Sequence, residues 1–258
     1  MRTKLRSVSV AGALAVALAA TMYAPAAIAT TPSGTPGRHC PLPKFGPGAT
    51  YHPRIDRATF GPHVTNPWFP LTPGVTMVYA GVKDGKAAID VVTPSRRTRM
   101  IDGVRTRIVE DRLLLGGRLA ERTSDYYAQD ACGNVWYFGE DTAELDRHGR
   151  VIDTSGSFHA GVDGAQPGVF MQAHPQLGRT FRQEWFRGEA EDTFTVIDKS
   201  TPVTVPYRSF RHALRTAERT RLEPGVLDNK YYARGIGEVE EVSVKGAQER
   251  LVLIDVLR

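Results

Sequence analysis

From Val75 onward, short runs rich in Val, Ile, Thr, Tyr and Phe recur at intervals of roughly ten residues, each closed by turn chemistry. VTMVYAG, AAIDVVTP, RTRMID, VRTRIVEDRLLL, SDYYAQD, NVWYFGE, TFRQEWF, DTFTVID, KYYARG, GEVEEVSV and ERLVLIDVL each read as a strand. Asp84-Gly85, Asp102-Gly103, Gly116-Gly117 and His148-Gly149 are hairpin turns, because such pairs accept the positive φ that tight antiparallel connections require. Short connections make sequential strands antiparallel neighbours. The pattern therefore predicts an all-β, mainly antiparallel meander that closes into a barrel or a curved half-barrel, and no segment alternates as βαβ units do. NVWYFG and LVLIDVL are apolar on both faces, so something must cover the outer face as well as the inner one.

One segment pulls the other way. In FRHALRTAERTRL, Phe210, Ala213, Leu214 and Ala217 fall at helical spacing, so periodicity alone makes residues 210–221 a helix. Upstream, residues 30–66 are dense in Pro and Gly and form an extended arm, in which Ile55 to Phe60 can make one helical turn. Trp68, Phe69 and Leu71 alternate with prolines, and we read NPWFPLTPG as a plug over one end of a single β-rich domain spanning 67–258.

The first 29 residues have the order of a secretory signal: a basic head (Arg2, Lys4, Arg6), an apolar stretch from Val8 to Ala20, and small residues at Ala27 and Ala29. We expect cleavage near Ala29 and release rather than lipid tethering, since Cys40 follows Gly37, Arg38 and His39 instead of a lipobox. No later apolar run is long enough to span a bilayer as a helix. Losing three basic residues and no acidic ones takes the formal net charge from +5 to +2, which removes the case for a nucleic-acid partner. The two cysteines, Cys40 and Cys132, are expected to pair in an oxidising compartment, tying the arm to a turn in the domain. A monomer is expected.

DYYAQDACGNVWYFGEDT, residues 125–142, concentrates acids, aromatics and Cys132. Counted from Asp130, a calcium loop would need an oxygen ligand at Cys132 and glycine at Val135, so the match fails and the stretch reads as a hairpin. Glu140 and Asp141 are adjacent and point to opposite faces of a strand. Glu184, mid-strand between Phe181 and Trp185, is a candidate buried acid. HAGVDGAQPG, residues 159–168, is the candidate functional loop, with His159, Asp163 and Gln166 as its polar groups. The seven histidines include no metal-binding spacing, no G-x-S-x-G elbow occurs, and neither metal nor cofactor is expected.

NPWFPLTPG, NVWYFGEDT, AGVDGAQPG, RQEWFRGEAED and LEPGVLDNKYYARGIGEV together resemble a group of uncharacterised secreted bacterial β-rich proteins that carry these blocks in the same order, over roughly residues 50–256. The resemblance names no reaction. VTVPYRSF followed by KYYARGIG also resembles the closing strands of LolA-like half-barrel proteins, which implies a strand rather than a helix after Phe210 and a concave face suited to lipid or acyl chains. Cys132 stands where the group is expected to carry a polar residue, which fits a local disulfide.

The leading expectation is non-enzymatic binding of an amphiphilic or hydrophobic small molecule in an aromatic-lined concavity, with Trp136, Phe138 and Trp185 as lining and Glu184 or Asp163 orienting the polar end. Two alternatives stand beside it. A secreted hydrolase would use Glu184 and Asp163 as a carboxylate pair on a glycan or ester, and an envelope-associated interaction domain would show a broad exposed apolar patch.

Overall fold

The computed structural model describes residues 40–246 and 248–258. The export leader read at 1–29, and the first part of the 30–66 arm, lie outside the described residues. The described residues form sixteen strands: β1 (Phe60–Gly61), β2 (Thr76–Lys83), β3 (Lys86–Ile101), β4 (Val104–Leu115), β5 (Arg118–Asp130), β6 (Val135–Leu145), β7 (Val151–Asp153) and β8 (Phe158–His159) come first. They are followed by β9 (Gln166–Met171), β10 (Thr180–Arg182), β11 (Glu184–Trp185), β12 (Asp192–Thr204), β13 (Ser209–Thr220), β14 (Leu227–Ala233), β15 (Gly237–Lys245) and β16 (Arg250–Leu257).

Every pairing is antiparallel, and the path runs β10-β12-β13-β14-β15-β16-β2-β3-β4-β5-β6-β9-β11. Its two ends, β10 and β11, are one stretch of chain. Thr180 to Arg182 pair with β12, and Glu184 and Trp185 then pair with β9, so residues 180–185 draw the two edges together into a nearly closed barrel. Closing a sheet in this way removes the exposed edges that invite aggregation.

The hairpins are made as their residues dictate: Asp84 and Gly85, Asp102 and Gly103, and Gly116 and Gly117 all sit at positive φ. AAIDVVTP and RTRMID, separate strands by their pattern, are a single strand, β3, with a register break between Pro94 and Thr98. Proline is tolerated there because pairing with β2 ends at Val92, leaving the position on a free edge. The buried Arg107 then reaches back to donate to the carbonyls of Ser95 and Arg96, satisfying the break.

Residues 209–220 are strand, not helix. The apolar spacing at Phe210, Ala213, Leu214 and Ala217 is overruled by ladders on both sides, to β12 and to β14, which bury Ala213, Leu214 and Thr216 together. In the described part of the arm, Arg57–Thr59 forms one 3-10 turn, with the Asp56 carboxylate accepting from Ala58 N. Phe60 packs edge-on against Trp136 and Phe138, covering the outer face of β6. Phe69 and Leu71 are buried at the barrel's interior, where Phe69 meets Tyr127, Phe170 and Tyr232. The disulfide Cys40–Cys132 is present and ties the arm to the β5–β6 turn.

Candidate functional site

Inward-facing positions of a small barrel are ordinarily filled by apolar side chains. Here eight of the strands contribute acids to the interior instead. Asp90 on β3, Asp111 on β4, Asp125 on β5, Glu140 on β6, Glu184 on β11, Asp192 on β12, Glu218 on β13, and Glu238 and Glu241 on β15 all line one cavity of about 270 Å³. Among the described residues Lys230, on β14, is the one basic side chain in that lining. Phe69, Tyr79, Tyr127, Tyr137 and Phe170 supply an aromatic surface to the same space.

Register explains the convergence. Asp125 lies directly opposite Glu140, and Lys230 directly opposite Glu241, so each pair shares the inner face. On β6 strict alternation would put Tyr137 and Glu140 on opposite faces, yet both line the cavity. The register shifts here, three residues of β6 being spanned by two of β5, from Asp125↔Glu140 to Tyr127↔Tyr137. Gly139 makes that bulge possible: its φ is 140°, and a Cβ there would lie 2.2 Å from the carbonyl oxygen of Phe158.

Two walls of the cavity are compensated differently. On the β13–β15 side, Lys230 Nζ lies 3.5 Å from Glu241 and 3.8 Å from both Glu218 and Glu238. Glu218 also accepts from Thr216 Oγ1 at 3.0 Å, Gln183 Nε2 at 3.2 Å and Tyr232 Oη at 3.4 Å. Burial works against the Lys230 charge, but Glu238, Glu241 and Glu218 together hold it protonated well above the ordinary lysine range. Burial pushes Glu238 up to about 8, against the pull of Lys230.

On the β3–β6 side, among the described residues, neither Lys230 nor any other cation forms an ion pair with Asp90, Asp111, Asp125 or Glu140, although Lys230 is near enough to act on Asp125 through space. Tyr137 Oη donates to Asp125 at 2.7 Å, and Asp90 Oδ1 is buried without a hydrogen-bond partner. Burial raises Asp125 to about 7, opposed by the Tyr137 hydrogen bond and more weakly by the Lys230 charge, and reinforced by Asp90 and Glu121. Asp111 is pushed well up by burial and then by Asp90, and Glu140 by burial and then by Asp125. Glu184 is raised by burial, then by the charges of Asp192 and Glu140. Each of these shifts favours the neutral form of its carboxyl group.

Of the residues singled out from sequence, Glu184 lies in this cavity. Trp136 and Phe138 are buried on the other face of β6, under Phe60, where Trp136 Nε1 donates to Asp130. Trp185 and Gln166 are cross-strand partners, and neither is in the cavity lining; Trp185 faces the arm at Gly48. Asp163 is exposed, at a positive-φ turn, so the Glu184 and Asp163 pair is not brought together. His159 Nε2 meets Asp141 Oδ1 at 2.9 Å in an outer cluster with Arg99 and Tyr126. Asp130 organises its turn by accepting from the backbone N–H groups of Cys132 and Asn134 and from the Asn134 amide.

The available signal for the cavity was an acid recurring on the inner face of successive strands, as in AAIDVV, RIVED and SDYY. Among the described residues no three of the cavity carboxylates bring oxygens close enough to share one ion. The one close trio, Cys40, Asp130 and Cys132, has both sulfurs committed to the disulfide. The acids are spread around a wall rather than focused on a point.

No protein-family model matches the chain, and no curated protein matches it. Two solved structures share its general shape. One is a Bacteroides fragilis protein, described as an inferred exported protein with a YmcC-like fold: 14% identity, TM-score 0.42, covering 74% of this chain and 99% of that one. The other, from Parabacteroides distasonis, is described as an inferred lipoprotein: 11% identity, TM-score 0.39, covering 74% and 98%. Likeness at this level carries nothing over about activity, ligand or location.

Proposed function

We propose that this protein is a non-enzymatic binder of a small amphiphilic molecule, that the barrel interior is its site, and that the ligand's polar end is cationic. The observation that carries the reading is the nine carboxyl groups lining one partly open cavity, with a single ammonium among its described residues. An organic cation suits walls whose acids are dispersed, whereas a metal ion needs oxygens gathered at one point. Phe69, Tyr127, Tyr137 and Phe170 give the ligand an apolar and cation-attracting surface. At about 270 Å³ the cavity lies near the lower end of small-molecule sites, which start at roughly 300 Å³. The disulfide and the export-type leader support a setting outside the cytoplasm.

Native mass spectrometry of the intact protein from its own host tests this. The expected result is an added mass that leaves on denaturation in organic solvent and is detected in positive-ion mode as an amine or quaternary ammonium. A released fatty acid or other anion would contradict the charge assignment, and a bare polypeptide mass that also gains nothing on exposure to an alkylamine series would contradict binding itself.

A second reading has one observation in its favour. Asp125 and Glu140 face each other across adjacent strands, next to the hydroxyl of Tyr137, an arrangement that could serve as an acid and base pair for glycoside hydrolysis. Turnover of chromogenic glycosides, abolished by Asp125→Asn, would favour it over binding.

A further inference from the structure

The barrel is closed by its shortest pieces. Residues 180–185 hold to β12 through three paired residues and to β9 through two, with Gln183 N donating to Asp192 O between them. At the crossing, β9 approaches so closely that a Cβ on Gly168 would lie 2.2 Å from the Gln183 carbonyl carbon. Glu184 and Gln183, which line the cavity, belong to this seam.

The arm lies across the outer face of the same seam. Arg182 Nη2 donates to Gly46 O at 2.8 Å, and its guanidinium sits against the rings of Trp185, Phe45 and Tyr51 at 4.6, 5.4 and 5.9 Å. Tyr51 Oη donates to Pro167 O on β9 at 3.2 Å, so the arm grips both sides of the join. Gly48 lies flat on the Trp185 indole, where any Cβ would come within 2.0 Å of the ring. Beyond Phe45 the arm's start is fixed to the barrel covalently, by Cys40–Cys132.

We infer that residues 40–51 are a disulfide-locked latch on the barrel's closing strand, and that reducing Cys40–Cys132 frees the latch and loosens the seam beside the cavity. The reductant is a dithiol. One of its thiolates attacks a cystine sulfur and expels the other as a thiolate, and its second thiol then displaces the mixed disulfide. Two electrons and two protons pass to the protein, leaving two cysteine thiols and an oxidised cyclic reductant. The ligand reading gives this latch a purpose, but its motion is measurable on the empty protein, so either can fail alone.

Hydrogen exchange on the intact protein, with and without dithiothreitol, is the test. On reduction, amides of Gln166, Gly168 and residues 180–185 and 192–194 should exchange at least tenfold faster while β3 to β5 stay unchanged. Gly48→Val, which pushes the arm off Trp185 with the disulfide intact, should produce the same local pattern. Uniform acceleration over the whole barrel would make the disulfide a general staple and overturn the latch. An unchanged seam in either the reduced protein or Gly48→Val would overturn it too.

Discussion

The β13–β15 wall and the β3–β6 wall face the same cavity, and each presents several buried carboxyl groups, yet only the first has an ammonium paired with them. Glu218, Glu238 and Glu241 surround Lys230, and hydroxyl and amide donors take up further oxygens of Glu218. Asp90, Asp111, Asp125 and Glu140 have Tyr137 and one another. Lys230 pairs with all three acids of the first wall; the second has no ion pair of its own, and burial favours the neutral form of Asp111, Asp125 and Glu140. Burial of like charges without a partner is costly, so the second wall should lower stability wherever its acids are ionised.

The largest expected effect comes from breaking the paired wall. Lys230→Met strands three acids and should cost about 3–5 kcal/mol at pH 8, with a smaller loss at pH 5, where those glutamates can protonate, as read by urea denaturation. Asp125→Asn with Glu140→Gln should do the reverse. A carboxyl raised to about 7 favours the fold in its neutral form, so its stabilising form is fully present below the ordinary aspartate range and lost as pH climbs through that value. Replacing the pair should therefore stabilise the protein by on the order of 1–3 kcal/mol at pH 8 and change little at pH 4. Equal responses of the two walls, or the same response at both pH values, would erase the distinction between them.

Smallest of all should be Asp141→Asn, next to Glu140 but on the outer face. Its contacts with Arg99, Tyr126 and His159 are partly exposed, so the loss should be under about 1 kcal/mol. A large effect there would mean that the outer cluster, not the interior, is the electrostatically stressed region.

How much of this was legible depended on whether neighbours in sequence were enough. Turn chemistry at Asp84-Gly85 and Asp102-Gly103 is local, and those hairpins formed as read. The 210–221 segment misled because helical spacing is also local, while the ladders to β12 and β14 are not. Glu184 was visible as an acid among apolar neighbours, but NVWYFG is apolar on both faces and so does not say which face is inner: Tyr137 lines the cavity, the Gly139 bulge turns Glu140 to the same side, and Trp136 and Phe138 lie on the other face. Nothing in residues 125–142 alone reveals that Asp125 and Glu140 look across at Lys230, because that meeting requires the barrel to close through residues 180–185.

The most direct test of the account is calorimetric titration of hexylamine and hexanoate, at pH 7.5, into the wild-type protein, Asp125→Asn/Glu140→Gln and Glu218→Gln/Glu241→Gln. The account predicts that hexylamine binds and hexanoate does not, that the first pair of substitutions weakens hexylamine at least tenfold, and that the second weakens it less than threefold. Preference for hexanoate, or equal losses from the two walls, would contradict it.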